Sequence, residues 1–510
     1  MVCESETKAS ARSTHVTPRA FCNGRPFVLY YPREERCVCV NRSTSSKDPE
    51  VTPELLAGLD RPGPRYTSYP TVPEWHAGFT SADYKTALET AAESPRTPLS
   101  LYIHIPFCRS RCAYCGCTTT VAGSDEDIDD YIESVHTEAA GLARHLAPRK
   151  IVNQLHFGGG TPTTLRPTQL RRVFDGLAGR FEIMPGAEIA IEVDPRVTTE
   201  EHVDVLVELG FNRVSMGVQD LDPAVQAAIG RNQTEEQTRR LFNLCRQKAF
   251  AHINMDLVYG LPCQTLDNWE RTVRTIAGMR PDRLAVYSFA YLPARLTNQA
   301  GIDADAVPVG LKKYELFAAA RRLLIDAGYR PIGMDHFAVP EDELAAALDQ
   351  RRLHRNFMGY TVLAATDAIG IGMSAISDVA GYYAQNVKRL DAYYDRLQET
   401  DGRGEPSLPT ARGYVLSSDD KIRRWVIRQI MCNFVLEFGE LEARFGVDFD
   451  SYFAAENETL ADLENQGLIE RKEDSLIVSP LGRVFVRNIA MVFDSYLEQA
   501  GGRGKFSRTI

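Results

Sequence analysis

Long apolar runs are missing from this 510-residue sequence. No stretch of about 18 or more hydrophobic residues occurs, which excludes a membrane-spanning helix, and the start lacks the short apolar core of a secretory signal. A basic surplus is missing as well. With 58 Lys and Arg against 68 Asp and Glu, the formal net charge is −10, whereas a sequence-independent nucleic-acid binder needs basic surface to displace counterions from phosphates. An even set of cysteines is also missing. There are 11, and an odd number in a long chain favours reduced thiols over a disulfide framework. These absences predict a cytoplasmic chain that binds no nucleic acid, and they leave room for a local basic pocket holding an acidic small molecule.

What is present reads as globular. Hydrophobic residues make up 44% and charged residues 25%, an ordinary soluble composition, and the length suggests two to four units at roughly 150 residues each. Residues 1–50 are rich in Ser, Thr and Arg and are expected to form a mobile extension. An organelle transit peptide there is the minor alternative, because Glu4, Glu6, Glu34 and Glu35 spoil the acid-poor composition such peptides show. Cys37 and Cys39 in the same stretch read as incidental thiols, and Cys245, Cys263 and Cys432 as small buried hydrophobes. Residues 51–98 are expected to pack near the active site.

From residue 99, short β-branched or aromatic runs alternate with longer stretches of helical periodicity. The runs are Leu99 to Ile105, Gln154 to Phe157, Glu188 to Val193, Arg213 to Val218, His252 to Tyr259 and Arg283 to Phe289, which makes six βα units. Such units imply parallel pairing with right-handed crossovers, in a sheet that curls into a barrel or lies open and doubly wound. Either way, ligands bind at the C-terminal ends of the strands. The pattern continues with a helix near Leu311 to Ala327 and an apolar run from Tyr329 to Phe337. Residues 99–400 are read as the barrel and its extension, and residues 401–510 as a mainly helical domain with a hairpin near Ile469 to Ile477. A helix, helix, hairpin order also occurs in winged-helix DNA readers, but acidic residues outnumber basic ones from residue 440 onward, so a cap packed on the barrel is expected.

Cys108, Cys112 and Cys115 stand at i, i+4 and i+7 just after the first predicted strand. A zinc site would want four protein ligands. On a [4Fe–4S] cluster, three thiolates leave one iron open for the amino and carboxylate groups of S-adenosylmethionine. One electron then cleaves the sulfonium to a 5′-deoxyadenosyl radical able to take hydrogen from an unactivated carbon. Tyr114 between the second and third ligands fits this motif. Gly158-Gly159-Gly160-Thr161-Pro162 follows at the second strand end, where glycines allow close backbone approach to a polar group such as the methionyl amine. Glu192, Gln219 and Asp256 end the third, fourth and fifth strands.

Nine stretches, among them Gly63-Pro-Arg-Tyr-Thr-Ser-Tyr-Pro70, Tyr102 through Cys117, Phe157 to Thr163, Asp256 to Pro262, Gly333 to Ala338, His354-Arg-Asn-Phe357 and Phe506-Ser-Arg508, resemble the oxygen-independent coproporphyrinogen III oxidase family. The resemblance runs from about residue 60 to the end. It implies a radical-SAM partial (β/α)6 barrel with a mainly helical C-terminal domain, a [4Fe–4S] cluster on Cys108, Cys112 and Cys115, and two molecules of S-adenosylmethionine. Carried across by position, Tyr102, Gly159, Glu192 and Ile376 are expected to contact the cluster-bound molecule. Tyr114, Gly160, Thr161, Gln219, Arg231, Asp256 and Ala290 are expected to contact the second. Tyr102 and Glu192 are also candidate catalytic groups, as is Cys117, which is expected to stay off the iron.

The implied reaction turns two propionates of coproporphyrinogen III into vinyl groups, giving protoporphyrinogen IX, with a reducing donor such as flavodoxin or ferredoxin. A monomer is expected. Arg65, Arg231 and Arg355 are candidates for the substrate's carboxylates, while His336 and His354 read as hydrogen-bonded structural histidines. The rival function is that of a haem-binding chaperone of the same family. Its members typically have another residue in place of Cys117 and usually lack the Gly-Pro-Arg-Tyr-Thr segment and the long C-terminal domain, all of which this chain has.

Overall fold

Along the expected strands, apolar residues alternate with polar ones, and a computed structural model describing residues 51–363, 367–400, 404–499 and 506–509 shows why. Six parallel strands stand side by side in chain order: β1 (Leu99–Ile105), β2 (Ile151–Gly159), β3 (Glu182–Val193), β4 (Arg213–Gln219), β5 (His252–Tyr259) and β6 (Arg283–Ser288). Leu101, Ile103, Leu155, Phe157, Ile191 and Ile253 fall on one face and are wholly buried in a core shared with the crossover helices. The other face carries Tyr102, His156, Glu192, Ser215 and Asp256. Pairing aligns them, with Tyr102 opposite His156, Glu192 opposite Ser215, and Gly217 opposite Asp256. Parallel strands are usually apolar on both faces; here the inner face is polar because it lines a site.

The crossover helices begin at sequence-encoded caps. Ser124 with Asp127, Thr199 with His202, Thr234 with Gln237 and Thr265 with Asn268 form capping boxes that open the helices Asp125–His145, Glu200–Glu208, Glu235–Gln247 and Leu266–Met279. Each box satisfies two otherwise orphaned N–H groups.

The six expected strands are half of a larger sheet. The run from Tyr329 to Phe337 folds as a hairpin, β7 (Arg330–Gly333) and β8 (His336–Ala338), with β8 antiparallel to β6. Beyond β1, β9 (Asp367–Ile371) adds a seventh parallel strand, followed by antiparallel β10 (Ile376–Val379), β11 (Tyr382–Asn386) and β12 (Thr410–Val415). The order is β12-β11-β10-β9-β1-β2-β3-β4-β5-β6-β8-β7. Because the sheet runs to Val415, the boundary expected at residue 401 falls before its last strand.

The C-terminal helix Ser418–Asn433 leads into a small antiparallel sheet, β13 (Val435–Glu437), β14 (Ile469–Arg471) and β15 (Ser475–Val478), in which β14 and β15 are the expected hairpin. Trp425, Val426, Ile430 and Phe453 share one apolar core with Tyr66, Tyr69, Leu344 and Tyr360. The domain is therefore a cap on the barrel. No helix among the described residues is long and apolar enough to cross a membrane. The extension expected over residues 1–50 lies outside the described residues, as do Cys37 and Cys39. Cys245 and Cys432 are buried as expected, whereas Cys263 is exposed, since it sits in the loop after β5 with a left-handed backbone.

Candidate active site

The thiol loop leaves β1 at a two-residue strand, Phe107–Cys108, which pairs with Thr120–Val121 and so closes the loop at its base. Cys112 is buried, Cys108 and Cys115 are partly exposed, and Cys117 is exposed. Between them the backbone has no regular structure, so its polar groups need outside partners. Asn298 supplies them. Its Nδ2 donates to the carbonyls of Cys112, Ala113 and Cys115 at 3.2, 2.9 and 2.9 Å. Gln299 donates to the Tyr114 and Ala290 carbonyls at 3.2 and 3.0 Å, and the Ala113 N–H donates to the Ile229 carbonyl at 2.8 Å.

Each thiol has a distinct electrostatic setting. Burial pushes the Cys108 thiol up, although its sulfur lies 3.5 Å from Thr161 Oγ1. Cys112 Sγ sits 3.8 Å from both Arg196 Nη2 and Arg231 Nη1. These two cations converge on Asp194 at 2.7 and 3.1 Å. Burial works against the Asp194 charge, but the Arg196 hydrogen bond and the charge of Arg231 outweigh it and hold the carboxyl below its usual value. The hydrogen bond between Cys117 and Cys115 lowers Cys115 and raises Cys117. Cys115 is therefore the better thiolate of that pair.

Above the thiols lies the glycine turn. Gly159 has φ 123°, and a Cβ there would sit 2.8 Å from the Ile105 carbonyl oxygen; one at Gly160 would sit 2.6 Å from that of Pro106. Only glycine lets this turn nest on the segment leading to Cys108. The Gly159 N–H donates to Glu192 Oε2 at 3.1 Å, and His156 Nε2 lies 3.2 Å from Glu192 Oε1. Tyr102 stacks on His156 with centroids 5.8 Å apart, and its hydroxyl lies 3.1 Å from His104 Nδ1. Asp256 accepts from Asn254 at 2.8 Å and Ser215 at 3.2 Å. Burial pushes its carboxyl up to about 7, and the charge of Glu192 adds to that against the Asn254 hydrogen bond.

The structure thus gathers most of the expected residues at one end of the strands. Gln219 ends β4 with φ 70°, and Ala290 follows β6. Ile376 lies on the sheet extension beside Trp75, Tyr383 and Leu416, and its backbone lies against Gly370, the residue paired with Tyr102. Of the arginines proposed for carboxylates, Arg231 is engaged by Asp194 and Arg65 by Asp335, whereas Arg355 makes no ion pair among the described residues and acts on Asp335 only through its charge. His336 is hydrogen-bonded to Asp335 at 2.8 Å as expected. His354 makes no side-chain hydrogen bond among the described residues; burial and the charges of Arg428 and Arg352 hold it down at about 4, so it is neutral. Asn298 and Gln299 were not singled out in the sequence, where they carry no periodicity or ligand spacing; Asp194 and Arg196 fall in the family-like stretch Ile191 to Arg196, which assigned them no role.

A family model described as the radical SAM superfamily matches residues 102–276, and one described as the HemN C-terminal domain matches residues 416–485. The oxygen-independent coproporphyrinogen III oxidase of Pseudomonas aeruginosa is 42% identical over 462 residues, covering 90% of this chain and 98% of that protein. That of Escherichia coli K12 is 42% identical over 456 residues, covering 89% and 98%. The chain belongs to the oxygen-independent coproporphyrinogen III oxidase family. The solved coproporphyrinogen III oxidase (HemN) of Escherichia coli, described as a radical SAM enzyme, superposes with a TM-score of 0.81 at 41% identity over 85% of this chain and 98% of that one.

As a member of this family the chain is a radical-SAM oxidoreductase, and the family implies a [4Fe–4S] cluster and S-adenosylmethionine. The residues fit these groups. The loop fixed by Asn298 carries three free thiols, the sulfur donor set that iron–sulfur clusters take.

Proposed function

We propose that the chain oxidatively decarboxylates two propionate side chains of coproporphyrinogen III to vinyl groups, giving protoporphyrinogen IX in anaerobic haem biosynthesis. The observation that carries this reading is the thiol loop clamped by Asn298 at the open end of a polar-lined barrel, in a chain matching the oxidases along nearly their whole length. When bound, the cluster and S-adenosylmethionine supply a radical able to take hydrogen from a propionate β-carbon, after which loss of CO₂ and one electron to an external acceptor leaves the vinyl.

The chain's own residues hold and orient. Cys108, Cys112 and Cys115 bind the irons, and Arg196 and Arg231 place positive charge beside Cys112. Tyr102, Gly159, Glu192 and Ile376 flank the cluster-bound S-adenosylmethionine in this reading, and Tyr114, Gly160, Thr161, Gln219, Arg231, Asp256 and Ala290 a second molecule. A low-potential donor such as flavodoxin or ferredoxin supplies electrons to a monomer in the cytoplasm, where the seven described cysteines, all free, stay reduced. The test is anaerobic reconstitution with iron and sulfide, then reductant, S-adenosylmethionine and coproporphyrinogen III, followed by mass spectrometry. Doubly decarboxylated product is expected. Tight haem binding without product would replace this reading by the chaperone one.

A further inference from the structure

Two of the family-like motifs that lie outside the thiol loop and the glycine turn are Gly63 to Pro70 and His354 to Phe357. They meet at the junction of barrel and cap. Thr67 and Ser68 from the first, Arg355 from the second, and Arg424 and Arg428 from the helix Ser418–Asn433 line one cavity of about 30 Å³.

Its charge is unbalanced. Arg424 is neutralised by Asp378, gripped through both guanidinium ends, one of them at 3.1 Å. Arg355 Nε and Nη1 are buried without a hydrogen-bond partner, and its guanidinium rests over the Tyr360 ring at 4.8 Å. Arg428 makes no hydrogen bond or ion pair among the described residues, and burial together with the charge of Arg424 disfavours its protonated form. Asp335 acts on Arg355 and Asp378 on Arg428 through charge, but neither makes an ion pair with them among the described residues, so a ligand carboxylate would add the direct partner each arginine lacks. Nε and Nη1 face different sides of the Arg355 guanidinium, so each can donate one charge-assisted hydrogen bond to a carboxylate oxygen.

We propose that this cavity receives a propionate carboxylate of the tetra-anionic substrate, gripped by Arg355 and Arg428 beside the hydroxyls of Thr67 and Ser68. The assignment rests on the function proposed above. At about 10–15 Å³ per water-sized group, the cavity has room for two oxygens and not for a pyrrole ring, so the macrocycle stays outside. Toward the barrel, Arg355 rests over Tyr360, Tyr360 packs on His336 at 5.1 Å, and His336 on Tyr287 near the end of β6 at 5.7 Å. Arg355 and Arg428 are positioning residues in this scheme.

The test pairs binding with stability. Coproporphyrin III, the oxidised macrocycle with the same four carboxylates, is titrated into the reconstituted protein by fluorescence quenching, alone and against inorganic phosphate. Arg428→Gln and Arg355→Gln should each weaken it by about tenfold to a hundredfold, and Arg428→Lys by less. With coproporphyrinogen III, the Gln variants should raise KM by a similar factor and leave kcat within about twofold. Substrate-free Arg428→Gln should melt no lower than the wild type, because a buried charge without an ion pair has been removed. A lowered melting point with unchanged KM would make Arg428 merely structural and overturn the proposal. Phosphate that stabilises the wild type but not Arg428→Gln, without displacing coproporphyrin, would make the cavity a free-anion site and overturn it too. Wild-type protein that neither binds coproporphyrin nor converts coproporphyrinogen defeats the function itself, whereas wild-type activity with unaffected variants defeats only this inference.

Discussion

Within the thiol loop, one atom decides each role. Cys115 and Cys117 lie within hydrogen-bonding contact, yet only Cys115 falls in the i, i+4, i+7 spacing and is held as the better thiolate. Cys117→Ser should keep the reconstituted iron content near that of the wild type, and Cys115→Ala should lose most of it, as read by iron analysis and the visible absorption of the cluster. Glu192→Gln keeps the size of the side chain but removes the charge that accepts from Gly159 and faces His156. It should weaken S-adenosylmethionine binding by roughly 2 kcal/mol, about thirtyfold, as expected for losing a charged acceptor, with cluster content intact. Most of these residues were legible in the sequence because cysteine spacing, a glycine run and polar strand ends are local signals. Arg355 and Arg428 were not jointly legible, since 73 residues part them and only the packed junction brings them to one cavity.

Elements hold the site together by contacts that no pattern announces. The segment carrying Asn298 follows β6 as a short turn without periodicity, yet it fastens three carbonyls of the thiol loop. At about 1 kcal/mol per bond, Asn298→Ala should loosen the loop by about 2–3 kcal/mol. It should speed cluster loss in air several-fold while the thermal midpoint of the barrel changes little. The six parallel strands were readable because each is a run of β-branched or aromatic residues. The strands β9 to β12 were not, because they are short, β9 and β12 contain glycine, and their pairing is fixed from outside.

One such outside anchor is Glu138 on the first crossover helix, whose buried carboxyl accepts from the Gly372 N–H, Asn386 and Tyr393 at 2.8, 2.6 and 2.6 Å. Burial pushes it up to about 7 against these hydrogen bonds. A carboxyl raised on folding contributes its stability fully below its ordinary value and loses it as pH rises through the folded value. The melting temperature should therefore fall between about pH 5 and 7, and Glu138→Gln should flatten that slope in calorimetry.

Across the whole molecule, one buried arginine joins segments far apart in sequence. Arg487 donates to the carbonyls of Gly63 and Pro64 on one side and of Arg508 and Thr509 on the other, the last three at 3.0, 3.3 and 3.2 Å. Arg508 pairs with Asp60 at 2.6 Å and Thr509 Oγ1 donates to the Leu59 carbonyl at 2.8 Å. Arg487→Leu would strand four carbonyls and should cost about 3 kcal/mol or more. KM for the porphyrinogen should rise further than stability alone explains, because Thr67 and Ser68 hang from the same segment. Denaturant melts and steady-state kinetics together would separate the two effects.

Asp60 and its partner Arg508 lie 448 residues apart. On the ribosome, every barrel strand and all three cluster thiols are made before that partner and before Arg428. Chains fold in the order in which they emerge, so Thr67, Ser68 and Arg355 wait on the ribosome for Arg428, and the cavity they line closes only once the cap is made.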